Sequence, residues 1–382
     1  AMRFSRIRLE NWRNFGEVDV PVATRVFLVG ANASGKSNFL DALRFLRDLV
    51  STGGGFQKAI QDRGGVTTIR NLAARRETSV AVEVEISEDD CLCWRYRLVF
   101  GQENSRFPPV LRQERVWDSQ NNLLLNRPDD ADREDAARLG QTQLEQVFGN
   151  RNFREIVDFF QSIKYSHLVP QIVRDPEITA VVSDDPFGSD FLDMVATTHV
   201  QTRKARLRRI QKTLKAVAPG YSQIEFIRDE LGNPHLRGKY EHWRKRGAWQ
   251  IETEFSDGTL RLIGMPWALQ DGEGPLLLEE PELSLHSEVV RLLPQMMYML
   301  QRTLRKPLRQ VVVSTHSPGL LEDEGIGAHE VLFLEPSGEG ASVQGGFEFQ
   351  DVLHMLDAGI PMSEIAMSRT RPRELQGLYL DF

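Results

Sequence analysis

The stretch Val26–Asn38, VFLVGANASGKSN, decides the fold. VFLVG is an apolar run without polar alternation, the pattern of a strand covered on both faces. GANASGKS then fits G-x-x-x-x-G-K-[ST], and from Lys36 onward Phe39, Leu40, Leu43, Leu46 and Leu49 or Val50 recur at helical spacing. Strand, glycine-bearing loop and helix in that order are the context a phosphate-binding loop requires. Gly30 and Gly35 let the backbone curl so that successive N–H groups turn inward, and the helix adds its positive dipole end. The expected nucleotide cradle is Gly30, Ala31, Asn32, Ala33, Ser34, Gly35, Lys36, Ser37 and Asn38. Lys36 is expected to bridge the β- and γ-phosphates of ATP, and the Ser37 hydroxyl to hold Mg²⁺.

A second stretch, Leu276–His286, reads LLLEEPELSLH. Three leucines run into Glu279 and Glu280, and Pro281 ends the strand. A strand parallel to the phosphate-loop strand would carry these carboxylates to the metal. Adjacent strand residues point to opposite sides, so the two take separate tasks. Glu279 is expected to touch the metal or orient its water, and Glu280 to act as general base on the attacking water.

Working outward, the chain has 382 residues, 41% hydrophobic and 26% charged, the balance of a soluble globular protein. A net charge of −7 excludes a uniformly basic surface and leaves room for a local basic patch. The two cysteines, Cys91 and Cys93, complete neither a disulfide framework nor a zinc site. Arg3, Arg6 and Arg8 interrupt any early apolar run, and no segment is apolar enough to span a membrane. A cytoplasmic protein with no membrane partner is expected.

The expected organisation is α/β: a mixed sheet plus an antiparallel meander, with a helical insertion. Residues 1–140 carry the phosphate loop and then the alternating strands SVAVEVEI, CWRYRLVF and VLRQERVW. The polar RPDDADREDAARLG reads as a solvent loop or short surface helix. Residues 141–250 read as a helical insertion, ending in the basic YEHWRKRG. Residues 251–345 return to α/β with the strands LLLE, QVVVST and VLFLE, and residues 346–382 form a helical tail. Asp351, His354 and Asp357 there read as solvated helix residues.

In order along the chain, RLENWRNFGEVDV, GANASGKSN, LLLEEPELSLH and VVVSTHSPGLL resemble the ABC-type P-loop NTPase heads of SMC, RecF and OLD-like proteins, AAA-family ATPases. The resemblance implies that Glu280, His316 and Lys36 are catalytic, with His316 reaching the γ-phosphate or its attacking water. It places Arg13 and Asn14 near the nucleotide and makes Gln171 the candidate metal-side glutamine. It also implies a signature at a helix start that completes the site of a partner copy. FSDGTL supplies Ser256 and Gly258 for that role, with Asp257 departing from the usual double glycine and expected to turn away or cap the helix.

The resemblance further implies an ATP- and Mg²⁺-dependent homodimeric clamp, linked to DNA or to a separate nuclease subunit, in DNA repair or phage defence. No coiled-coil arm is visible, and no nuclease domain is expected after His316. HVQTRKARLRRIQKTLKAV offers a contact surface: Leu207, Ile210, Leu214 and Val217 form an apolar stripe. Lys204, Arg208, Lys212 and Lys215 lie on another face, with Arg203, Arg206 and Arg209 nearby. It could follow a phosphate backbone or pack on an acidic partner. A nucleotide-binding transporter subunit and an ATP-switched scaffold without turnover are the alternatives.

Overall fold

The computed structural model describes residues 1–73, 78–176, 184–241, 248–338 and 340–370. Its strands in chain order are β1 (Arg3–Trp12), β2 (Phe15–Pro21), β3 (Arg25–Gly30), β4 (Val80–Glu88), β5 (Cys91–Gly101), β6 (Val110–Trp117), β7 (Leu123–Arg127) and β8 (Lys164–Ser166). There follow β9 (Tyr221–Arg228), β10 (Pro234–Tyr240), β11 (Ala248–Ile251), β12 (Leu276–Glu279), β13 (Val311–Thr315), β14 (Val331–Ser337) and β15 (Gly340–Gly345).

One mixed sheet has the order β7-β6-β5-β4-β1-β2-β15-β14-β3-β13-β12-β8, and a small antiparallel sheet is β11-β10-β9. The run β14-β3-β13-β12-β8 is parallel throughout. Its strands alternate between two cores: Val26, Leu28, Leu277 and Val312 face one, while Phe27, Val29, Leu276, Leu278, Val311 and Val313 face the other. Burial on both faces explains the unbroken apolar sequence of β3, β12 and β13. The helix Lys36–Val50 covers the first face through Phe39, Leu43, Leu46 and Leu49. The helices Val200–Val217, Asp257–Gln270 and Ser287–Thr303 cover the second.

The antiparallel strands β4 to β7 extend the sheet through β1 and β2, as the alternating sequence predicts. Their junction with the parallel half is narrow. β2 and β15 meet through one parallel pair, Phe15 and Ala341, and Ala341 N–H donates to Asn14 O at 2.8 Å.

Two expectations need correction. Residues 141–250, expected as a helical insertion, also carry strands: β8 is the last strand of the large sheet, and β9 to β11 make the second sheet. Phe153, Ile156 and Phe160 of this segment lie in the core beneath β1. The second correction concerns RPDDADREDAARLG, whose charges do not all face solvent. Arg127 is buried with Glu114 and Asp132, at 2.8 and 2.9 Å. It also donates to Gln141 O and Arg138 O, so its planar fork is satisfied and its burial tolerable. Within the expected basic YEHWRKRG, residues 242–247 lie outside the described residues. No described helix is long and apolar enough to cross a membrane.

Candidate nucleotide site

β3 ends at Gly30, and the chain turns through Ala31–Gly35 into the helix Lys36–Val50. Ala33 and Gly35 have φ of 64° and 100°, so the loop adopts left-handed conformations that Gly35 meets without steric cost. Gly35 also leaves room for a neighbour. A Cβ there would lie 2.4 Å from Asn14 Nδ2, so the Asn14 amide would have to leave its place against the loop. Asn14 holds the loop from that side: its amide donates to Ser34 O at 3.1 Å and its Oδ1 accepts from Asn38 Nδ2 at 2.9 Å. The first-turn N–H groups of the helix have no intrahelical partner, which leaves a positive dipole end facing the loop.

Lys36 is buried and donates to Gly30 O at 2.8 Å and Ala31 O at 3.0 Å. Burial lowers its pKa, and Glu280, Glu282 and Glu279 oppose that shift. Its ammonium therefore lies in a field of three carboxylates while held on the rim of the loop.

β12 lies one strand away from β3, separated by β13 and parallel to both, so the C-terminal ends of all three open on one side. Ser37 Oγ donates to Glu279 Oε1 across that opening. The other Glu279 oxygen accepts from Tyr165 OH, and His167 Nδ1 is 3.8 Å away. Burial, then Glu279, pushes the Tyr165 phenol above its usual range, so it stays a donor. Arg44 of the loop helix stacks over the Tyr165 ring at 4.0 Å.

Glu280 has φ 45°, a left-handed conformation that costs a non-glycine residue of order 1 kcal/mol or more. Its N–H is fixed to Ser314 O at 2.9 Å. This turn separates Glu280 from Glu279 and directs it towards His316, whose Nδ1 lies 3.3 Å from Glu280 Oε1 and 3.6 Å from Glu282 Oε1. The strand end, the loop helix and the residue after β13 thus bring Ser37, Glu279, Glu280 and His316 to one opening.

The remaining sequence candidates fall elsewhere or do something different. Arg13 pairs with Asp41 at 2.7 Å, tying the β1–β2 turn to the loop helix. Gln171 is exposed on the short helix Pro170–Arg174, and among the described residues no hydrogen bond joins its side chain to Ser37 or Glu279. Ser256 caps the helix Asp257–Gln270, its Oγ accepting from Thr259 N at 3.1 Å. Asp257 turns aside to pair with Arg174, as its charge requires. Gly258 packs on the segment after β12, where a Cβ would come within 2.9 Å of Ser284 O. Asp351 pairs with Arg369, and among the described residues no three His, Cys, Asp or Glu side chains gather as metal ligands.

Sequence reasoning missed Tyr165, His167 and Glu282. The strand bearing Tyr165 is only KYS, too short to show a period. Glu282 looks like surface acid in PEL, yet it is 5% exposed and accepts from Thr315 Oγ1 at 2.7 Å and His316 N at 3.3 Å. Burial raises its pKa, and its Oε2 has no partner among the described residues.

Residues 25–322 match the family described as "AAA domain, putative AbiEii toxin, Type IV TA system". A segment of 58 residues is 43% identical to Endonuclease GajA of Bacillus cereus (strain VD045), covering 15% of this chain and 10% of that protein. Among solved structures, the fold is similar to an SMC head bound to the C-winged helix domain of ScpA. The TM-score is 0.55 at 13% identity, over 89% of this chain and 97% of that one. It is also similar to an SMC head with an extended coiled coil bound to the C-terminal domain of ScpA derived from Pyrococcus furiosus. There the TM-score is 0.50 at 12% identity, over 94% and 100% of the two chains.

Proposed function

This chain belongs to the AAA-domain family matched over residues 25–322, and from that premise we propose that it binds and hydrolyses ATP as an ABC-type head. The observation that carries the reading is the hydrogen bond between Ser37 Oγ and Glu279 Oε1, which joins the phosphate loop to the end of β12. Two hard oxygen donors converging beside a phosphate loop suit Mg²⁺, which would neutralise charge on the phosphates. The protein's own groups supply the rest. Loop N–H groups and Lys36 hold the phosphates, with Lys36 exchanging its two carbonyl partners for phosphate oxygens. Glu280 accepts the proton of the attacking water, and His316 beside it orients that carboxylate and the water. Tyr165 and His167 fix the far side of Glu279 in the place expected of Gln171.

Ser256 and Gly258 serve the site of a second copy, so the working unit is a homodimer closed by two ATP molecules and reopened by hydrolysis. The clamp serves DNA or a separate nuclease subunit, in DNA repair or phage defence. Similarity to an endonuclease over a short segment and the SMC-head fold support that setting. Lys36→Ala should abolish ATP binding, and Glu280→Gln should lower turnover by about a hundredfold or more while ATP still binds. Steady-state ATPase assays and light scattering with ATP check this. A Glu280→Gln protein that turns over normally overturns the catalytic assignment; one that stays monomeric with ATP overturns the clamp.

A further inference from the structure

An open groove of about 610 Å³ runs between the helices Val200–Val217 and Ser287–Thr303. One wall is apolar: Leu292, Met296 and Met299 stand at i, i+4 and i+7 and form a ridge along their helix. Leu292 is 41% exposed and Met299 56%, an unusual cost for neighbouring large apolar side chains that no described residue covers. The opposite wall sets Arg208 and Lys212, one turn apart, among the small apolar Ala205, Ala216 and Val217. No carboxylate among the described residues lines the groove.

The cations of the basic helix divide into two sets. Arg206 pairs with Asp271 at 3.1 Å, Arg209 donates to Gln270 Oε1 at 3.3 Å, and Arg203 donates to Ala196 O at 2.9 Å. Those side chains hold the helix to the body. Lys204, Arg208, Lys212 and Lys215 have no carboxylate partner among the described residues. Buried Leu207, Ile210 and Leu214 fix which way this second row faces.

We propose that the groove docks an acidic amphipathic helix from a partner protein. A nucleic-acid backbone would engage the cations and gain nothing from Leu292, Met296 and Met299. An uncharged apolar segment would leave Arg208 and Lys212 unanswered. A helix with apolar residues at i, i+4 and i+7 and acids along the adjoining face satisfies both walls at matching spacing. The methionines adapt their shape to the incoming side chains. None of the nucleotide-site residues takes part, so the inference stands apart from the ATPase reading.

The probe is a fluorescein-labelled designed helical peptide, leucines at i, i+4 and i+7 and glutamates on the other face, added to the nucleotide-free full chain and followed by anisotropy. Binding is expected, weakened at least about tenfold by Met299→Glu and by the double change Arg208→Glu with Lys212→Glu. A peptide with lysine in place of glutamate should bind that double variant and not the original chain. Unchanged thermal unfolding verifies the fold of each variant. Equal binding of a scrambled peptide of the same charge overturns the proposal in favour of plain charge attraction. So does duplex DNA that displaces the peptide and binds Met299→Glu undiminished. A chain that elutes as a dimer until Met299→Glu separates it also overturns the proposal, because a second copy then covers the groove.

Discussion

Glu282 carries an acid where solvent barely reaches, three residues beyond the end of β12. Its Oε1 collects the Thr315 hydroxyl and the His316 N–H, so it fixes the backbone that presents His316 to Glu280. Glu282→Ala removes that acceptor, and leaving each buried donor unsatisfied costs about 1–3 kcal/mol. The expected result is an ATPase kcat reduced by about tenfold or more with KM little changed, and Glu282→Gln, which keeps Oε1, restores most of it. Because burial raises the folded-state pKa, the native protein binds an extra proton there relative to the unfolded chain. Stability from this group is therefore present at low pH and lost as pH rises through the folded pKa. Thermal unfolding of Glu282→Gln across the acid-to-neutral range should lack that loss.

The helix Lys36–Val50 joins two elements that sequence reading treats separately. Asp41 on it accepts from Arg13 of the β1–β2 turn and from Arg63 of the glycine-rich segment, at 2.7 and 2.9 Å. Burial raises the Asp41 pKa, and Arg63 and Arg13 outweigh it, so the carboxyl sits below its ordinary range. Asp41→Asn takes the carboxylate from Arg13 and leaves Arg63 with the Asp48 carboxylate, and should cost about 1–3 kcal/mol at neutral pH. Denaturant unfolding should show the gap narrowing in acid, since the native stabilisation is lost as pH falls through the depressed pKa. The elements legible in sequence are those with a long enough signal: β3, β12 and β13 as apolar runs, the loop helix by its period, β4 to β6 by alternation. β8 is not, because three residues carry no period and its place depends on pairing with β12 more than a hundred residues later. The Arg127 cluster is hidden for a related reason. Its partner Glu114 comes from another strand, so local polarity suggests solvent where the chain supplies counter-charges. Lys36 and Ser37 are legible from the fixed spacing of the loop motif, the Glu279–Glu280 pair from the apolar strand that ends on it, and His316 from the resemblance of VVVSTHSPGLL; the structure brings Ser37, Glu279, Glu280 and His316 to one opening. Tyr165 and Glu282 obey no such spacing.

At the scale of the whole molecule, Ser256 and Gly258 at their helix start make sense as groups for another copy's nucleotide. A mixture of Glu280→Gln and Ser256→Ala proteins, both of which keep the phosphate loop, tests this. Each alone should be inactive, yet half of the sites in mixed symmetric dimers are intact, giving roughly a quarter of native turnover at full exchange. A mixture as inactive as its components removes the trans arrangement. The broad sheet has a further property at this scale. The ladder between its two halves is the single rung of Phe15 and Ala341, backed by the paired hydrogen bonds of Phe4 with the Gln310 side chain, and Asn14, next to that rung, lies against Gly35. A ladder of one rung makes a seam, and here the seam runs past the cradle. Asn14 therefore links that narrow ladder to the phosphate loop, so Asn14→Ala should loosen the loop as well as the seam, read as weaker nucleotide binding together with a lower unfolding midpoint.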